Sequence, residues 1–171
     1  MKGPSPRIAV FPGSFDPFTL GHEHIARQAL PLFDHLIIAI GVNTTKSRFL
    51  FTPQQRKEMI AEVFTDTPQV SVKTFQGLTV EFCRQHHARF IIRGVRNALD
   101  WDYEQEIALA NRQLAPDIRT IFLAPDAEVG HIRSTIVREI AAAGGNITPF
   151  VPHPVALQLK NMTKKTKNTG K

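Results

Sequence analysis

Short apolar runs rich in β-branched residues alternate along this chain with stretches of helical periodicity, and that alternation limits its possible folds more than any other property. Residues 7–11 and 35–42, the latter reading His-Leu-Ile-Ile-Ala-Ile-Gly-Val, are too uniformly apolar for a sheet with one wet face. They predict strands covered on both sides, as in a parallel sheet. Residues 70–75, 89–93 and 119–123 are further strand candidates of similar length, and helix patterns fill 21–33, 52–64, 78–87, 100–114 and 134–143. One helix start is spelled out: Thr52-Pro53-Gln54-Gln55 offers an N-cap hydroxyl, a proline at the first helical position and a glutamine to close a capping box. Gly144-Gly145 stops the fifth helix, and Pro152-His153-Pro154 admits one last short helix from Val155. Five β-α alternations with short connections predict an α/β fold, a doubly wound five-stranded parallel sheet with helices on both faces. Ligands of such a sheet bind beyond the carboxyl ends of its strands, at the switch point. A motif that matters should therefore follow a strand.

At 171 residues the chain can bury one core without disulfides or structural metals. The lone Cys83 excludes an internal disulfide and a cysteine zinc cluster, and points to a reducing compartment. No apolar run approaches the ~18 residues of a membrane span. The opening Met-Lys-Gly-Pro-Ser-Pro lacks the apolar centre of a signal peptide, so a cytoplasmic protein without membrane partners is expected. The formal charge of +6 is unevenly spread: residues 160–171 carry five lysines and no acid, leaving 16 basic and 15 acidic residues over 1–159. A nearly neutral folded domain is thus expected at 1–159, followed by a basic, disordered tail at 160–171. A nucleic-acid-binding module would need its charge on a folded face, so that class is disfavoured. So are redox Rossmann proteins and P-loop proteins, whose glycine fingerprints are absent.

Four segments follow strands and carry polar groups. After the first strand, Pro12-Gly13-Ser14-Phe15-Asp16-Pro17-Phe18-Thr19-Leu20-Gly21-His22 runs straight into a helix. Its glycines and prolines shape a turn, Gly21 admits the close approach of another group, and Ser14 offers a hydroxyl and an N–H. His22 stands in the first helical turn, where the helix terminus already favours an anion. This is the outline of a phosphate site. Beyond the second strand, Lys46 sits among small polar residues and can point an ammonium into the crevice. Beyond the fourth, Arg93-Gly94-Val95-Arg96 forms a fork suited to phosphoryl oxygens, with Asp100, Asp102, Glu104 and Glu106 close enough to pair with it. Beyond the fifth, His131-Ile132-Arg133-Ser134-Thr135-Ile136-Val137-Arg138 opens a helix with two hydroxyls and two guanidiniums. No acidic pair, no nucleophile with a histidine base and no metal-ligand cluster stands beside them; His22-Glu23-His24 and His86-His87 lack zinc spacing. Cations and hydroxyls at one sheet edge suit phosphoryl or nucleotidyl transfer, which asks mainly for positioning and charge neutralisation.

These segments resemble the nucleotidyltransferase superfamily with an H-x-G-H signature, here Thr19-Leu20-Gly21-His22, and an I-S-S-T-x-x-R-like one, here Ile132-Arg133-Ser134-Thr135-Ile136-Val137-Arg138. Within it, the order Pro12-Gly13-Ser14-Phe15-Asp16-Pro17, Lys46, Arg93-Gly94-Val95-Arg96 and Asp102-Tyr103-Glu104 is similar to that of bacterial phosphopantetheine adenylyltransferases. The resemblance spans about 8–159 and implies a Rossmann-like nucleotidyltransferase fold. It further implies adenylyl transfer from ATP to 4′-phosphopantetheine, giving dephospho-coenzyme A and pyrophosphate. Magnesium with the ATP, a homohexamer and coenzyme A as a candidate feedback inhibitor are implied with it. Nicotinate mononucleotide and glycerol phosphate stand as alternative acceptors within the superfamily. Residue by residue, the resemblance makes His22 the transition-state stabiliser, with Lys46 and Arg96 beside it. It gives Ser14, Lys46, Thr79 and Arg93 to the acceptor. It gives Ser14, Phe15, His22, Gly94, Val95, Arg96, Glu104, Val129, Gly130, His131, Ile132, Arg133, Ser134 and Thr135 to ATP. Two positions depart from the family pattern: Arg133 stands where Ser or Thr is usual, and Val129 where an aromatic is.

Overall fold

The computed structural model describes residues 5–42 and 49–168, the stretch 162–168 as backbone. Strands β1 (Ile8–Gly13), β2 (His35–Gly41), β3 (Val70–Phe75), β4 (Phe90–Gly94) and β5 (Arg119–Leu123) form one parallel sheet in the order β3-β2-β1-β4-β5. The chain lays strands outward from β1 to β3, then crosses to the other side of β1 for β4 and β5. The doubly wound sheet read from the sequence is therefore present, and its switch point lies between β1 and β4.

Alternate side chains of the inner strands feed two cores, as the period of a strand requires. Ala9, Phe11, Leu36, Ile38, Ile40 and Ile92 join residues of α1 (Leu20–Ala29), α2 (Pro53–Val63), α6 (Ser134–Ala142) and α7 (His153–Asn168). Val10, Ile37, Ala39 and Ile91 join Val80, Phe82 and Cys83 of α3 (Thr79–Gln85) on the other face. Helix α4 (Ala98–Leu114) buries none of its residues, and a short α5 (Ala127–Gly130) follows β5.

The sheet is not uniformly zipped. β1 and β2 pair from Ile8↔His35 to Gly13↔Ile40, but the β1–β4 ladder holds only Ala9↔Phe90 and Val10↔Ile91. Both strands continue past that point without pairing to each other. The crevice thus begins inside the sheet, between the carboxyl ends of β1 and β4.

Among the element boundaries that differ from the sequence expectation, three have a clear local cause. The first helix ends at Ala29 rather than 33, because Pro31 lacks the N–H needed to continue and Leu30–Leu32 tightens into a 3₁₀ turn. α4 starts two residues early, where Asn97 Oδ1 accepts from the Asp100 N–H at 3.0 Å and caps it. The last helix starts at His153 and runs to Asn168, through most of the stretch expected as a disordered tail. Val155, Ala156 and Leu159 are buried and anchor α7, and lysines extend an established helix at little cost.

The capping box at α2 has formed as read: Thr52 Oγ1 accepts from Gln55 N–H at 3.2 Å, and Gln55 Oε1 accepts from Thr52 N–H at 2.9 Å. Thr52→Ala should lower stability by about 1 kcal/mol, the usual worth of an N-cap. Urea unfolding of the two proteins measures it, and an unchanged midpoint would show that the cap contributes nothing.

Candidate active site

The loop after β1 is held from outside. Phe15 takes a positive φ of 48°, a left-handed conformation uncommon for a bulky residue. Ring contacts stabilise it, with the Phe11, Phe18 and His22 centroids 5.2, 5.5 and 5.1 Å from its own. Gly13 is required beneath that ring, since a Cβ there would lie 2.7 Å from Phe15 Cζ. Four carbonyls between Pro12 and Pro17 are taken up by side chains. Arg93 Nη1 donates to Pro12 O at 2.9 Å, Arg56 Nη1 to Ser14 O at 2.5 Å, Arg138 Nη1 to Asp16 O at 2.5 Å, and Ser134 Oγ to Pro17 O at 2.9 Å. Asp16, buried, accepts from the Leu50 and Phe51 N–H groups at 2.7 and 2.9 Å, binding this loop to the start of the α2 segment.

His22 is set by its own helix start. The Thr19 N–H donates to Nδ1 at 3.1 Å, while Thr19 Oγ1 accepts from the His22 N–H at 3.4 Å. With Nδ1 accepting, the neutral ring carries its proton on Nε2, the atom left to serve the cavity. Burial, followed by the charges of Arg96 and Arg93, pushes the His22 pKa down from 6.5 to about 3. Near neutral pH the ring is an uncharged donor.

The two arginines of the β4 motif are paired and aimed. Arg93 Nε and Nη2 grip Glu104 at 2.6 and 2.5 Å while Nη1 reaches across the unzipped gap to Pro12 O. Of the five guanidinium N–H groups, one on Nη1 and one on Nη2 remain for an anion. Arg96 Nε donates to Asp100 Oδ2 at 2.7 Å and Nη1 to Ile132 O at 3.3 Å, so it ties the β4 loop to the strap that runs from α5 into α6. That strap lies against α1 at Gly21, where a Cβ would come within 3.2 Å of Val129 O. His24 Nε2, 3.3 Å from Asp126 Oδ2, holds its far end.

These elements enclose a cavity of about 240 Å³ at the β1/β4 switch point. Ser14, Phe15, His22, Arg93, Gly94, Arg96, Glu104, Val129, Ile132 and Ser134 line it. Val95, Gly130, His131, Arg133 and Thr135 do not; His131 and Arg133 are exposed on the outer side of the strap. Thr79 opens α3 after the edge strand β3, two strands from β1, and does not line this cavity. Lys46 lies outside the described residues. The sequence pattern assigned no role to Thr19, Asp16, Arg56 or Arg138, which hold the site together. One signal was present: Arg56 shares the inner face of α2 with Met59 and Ile60, a charge where the helical period calls for an apolar residue. Among the described residues no group of three or more His, Cys, Asp or Glu could hold a metal ion.

Comparison with known proteins places the chain. A family model described as cytidylyltransferase-like matches residues 10–140. The phosphopantetheine adenylyltransferase of Leptospira biflexa serovar Patoc is 48% identical over 148 residues, which cover 86% of this chain and 92% of the relative. That of Flavobacterium johnsoniae is 46% identical over 152 residues, 89% of this chain and 99% of the relative. The chain belongs to the phosphopantetheine adenylyltransferase family. A third relative with that name, from Ralstonia pickettii, is 44% identical over 164 residues, 96% of this chain and 98% of its own. The solved structure of a bifunctional NMN adenylyltransferase/ADP ribose pyrophosphatase from Francisella tularensis shares the fold, with a TM-score of 0.74 at 19% identity over 94% of this chain and 50% of that one.

Because the folded His22 pKa lies below its ordinary value, the unfolded chain binds a proton that the folded site refuses between about pH 6.5 and about pH 3. Stability from this group is therefore lost as pH falls through that window. In the ligand-free protein, the His22 ring signals in NMR should keep their neutral positions down to about pH 5. A titration midpoint near 6.5 would refute the buried, arginine-flanked environment.

Proposed function

We propose that this chain transfers the adenylyl group of ATP to 4′-phosphopantetheine, yielding dephospho-coenzyme A and pyrophosphate. The observation that carries the reading is the neutral His22, its Nε2–H turned to a cavity walled by Ser14, Phe15, Arg93 and Arg96 in a chain of this family. A 4′-phosphate oxygen attacks the α-phosphorus in line; the bond between the α-phosphorus and the bridging oxygen breaks, and pyrophosphate leaves with both electrons. The attacking phosphate is already anionic, so no general base is needed. Ser14 and His22 share no hydrogen bond among the described residues, which leaves the serine unactivated as a nucleophile.

His22 Nε2–H donates to the α-phosphate as its charge redistributes, and the Phe15 N–H and Arg96 hold the nucleotide phosphates. Lys46 and the two remaining N–H groups of Arg93 hold the acceptor phosphate, Thr79 lies along the pantetheine arm, and the strap from Val129 to Thr135 covers the nucleotide. Magnesium arrives as part of the ATP substrate. The chain's own residues do not fit a resident site, because Glu104 and Asp100, the carboxylates nearest the cavity cations, are engaged by Arg93 and Arg96.

The unburied α4 favours a homo-oligomer, a hexamer by family. Leu99, Tyr103 and Leu109 are 81%, 64% and 56% exposed on a helix that also presents Asp100 and Glu104 to the two arginines. Covering that helix with another copy would stiffen the arginine clamps. A cytoplasmic location accords with the lone, buried Cys83, and among the described residues no helix is long and apolar enough to cross a membrane. Coenzyme A, which contains the product, is expected to compete for the acceptor site.

Pyrophosphate release from ATP should require 4′-phosphopantetheine. Turnover with nicotinate mononucleotide or glycerol phosphate instead, or with none of the three, would defeat the reading. His22→Ala should lower kcat by about 10²–10³-fold with substrate affinities largely kept, and an unchanged kcat would remove His22 from the mechanism. Lys46→Ala should weaken 4′-phosphopantetheine more than ATP in calorimetric titration; equal losses would place Lys46 elsewhere.

A further inference from the structure

Arg56 is the largest side chain that the fold buries completely, 1% exposed, yet no carboxylate lies within ion-pair distance of it among the described residues. Asp16, 2% exposed, is the opposite charge that acts on it, and the Asp16 oxygens are occupied by the Leu50 and Phe51 N–H groups. A buried cation without a bound anion is costly, and an apolar side chain of similar volume would often be as stable or more so. Packing alone therefore gives little reason for an arginine here.

Its contacts suggest another reason. Nη1 donates to Ser14 O at 2.5 Å, Nε lies 3.4 Å from Thr52 O, and the guanidinium carbon stands 4.5 Å from the Phe49 ring centroid. The short bond goes to a single peptide unit, the one joining Ser14 to Phe15. That peptide is trans, so the Phe15 N–H points away from the carbonyl that Arg56 holds. The Phe15 N–H makes no hydrogen bond among the described residues, and Ser14 and Phe15 both line the cavity. A cation on the carbonyl draws electron density through the amide and strengthens its N–H as a donor, the cooperative polarisation of hydrogen bonds in series.

We infer that Arg56 is a positioning residue for the transfer: from behind the loop it fixes and polarises the Ser14–Phe15 peptide, presetting the Phe15 N–H as a donor to a nucleotide phosphoryl oxygen. The inference rests on the adenylyl-transfer reading for its ligand. Its electrostatic part belongs to the free protein.

The test compares the full-length parent with Arg56→Met and Arg56→Lys by thermal unfolding, by pyrophosphate release per folded molecule, and by the Phe15 amide signal of the ligand-free protein. Arg56→Met should fold with undiminished stability, lose at least roughly tenfold in kcat, and shift the Phe15 amide proton upfield. Arg56→Lys, which keeps the charge, should recover part of both changes. A kcat within about twofold of the parent, an unmoved amide, or a lysine variant no better than the methionine one would overturn the inference. If Arg56→Met does not fold, Arg56→Gln, which keeps a donor and drops the charge, replaces it with the same expectations. A parent without turnover on ATP and 4′-phosphopantetheine would defeat the proposed function instead, and the amide comparison would still decide the role of Arg56.

Discussion

Four carbonyl oxygens at the end of β1 and in the loop after it, those of Pro12, Ser14, Asp16 and Pro17, accept hydrogen bonds from side chains that lie far away in sequence. A trans peptide carries its acceptor and its donor on opposite edges, so holding the Ser14 carbonyl from behind turns the Phe15 N–H the other way. The donors come from β4, α2 and α6, and the loop can be shaped only when all three have docked. This dependence also accounts for the β1–β4 ladder stopping after two pairs. Arg93 leaves β4 where strand pairing ends and reaches Pro12 O through the gap, so a side chain replaces the next rung and the opening becomes usable.

The charges are arranged to the same end. Arg93 and Arg96 sit against Glu104 and Asp100, which neutralise much of their long-range field and fix their planes. A site so arranged presents a few oriented N–H groups rather than a broad positive field. The net charge of +6 misleads in this respect, because five of its lysines fall in residues 160–171, far along the chain from the strand ends.

Strands were legible because a short, continuous apolar run fits a strand covered on both faces better than it fits a helix with one wet side, and their order followed from the alternation with helices. The site was legible to the extent that its residues follow strands: Ser14, His22, Arg93 and Arg96 converge because the sheet puts every β-α turn on one edge. Orientation was not. The pairing of Arg93 with Glu104 crosses a turn and two turns of α4, and sequence spacing does not fix which carboxylate that helix presents. The outward placement of His131 and Arg133 depends on how the strap rests on Gly21, a contact between segments more than a hundred residues apart. α7 exceeded its expected length because a buried anchor at Val155 and Leu159 determines helicity there more than the composition of the residues that follow.

The state of His22 follows from this arrangement. A charged imidazolium would bind ground-state phosphates strongly and gain little more at the transition state, whereas a neutral donor leaves more of its stabilisation for the moment when charge shifts. The guanidiniums proposed to receive the anions are the same groups that, with burial, hold the ring neutral. In the proposed reaction, the negative charge of two phosphate-bearing substrates would offset Arg93 and Arg96 and relax the downward pull on the ring. Thr19 has already committed Nδ1, so Nε2–H is the ring atom left for the substrate in the proposed reaction.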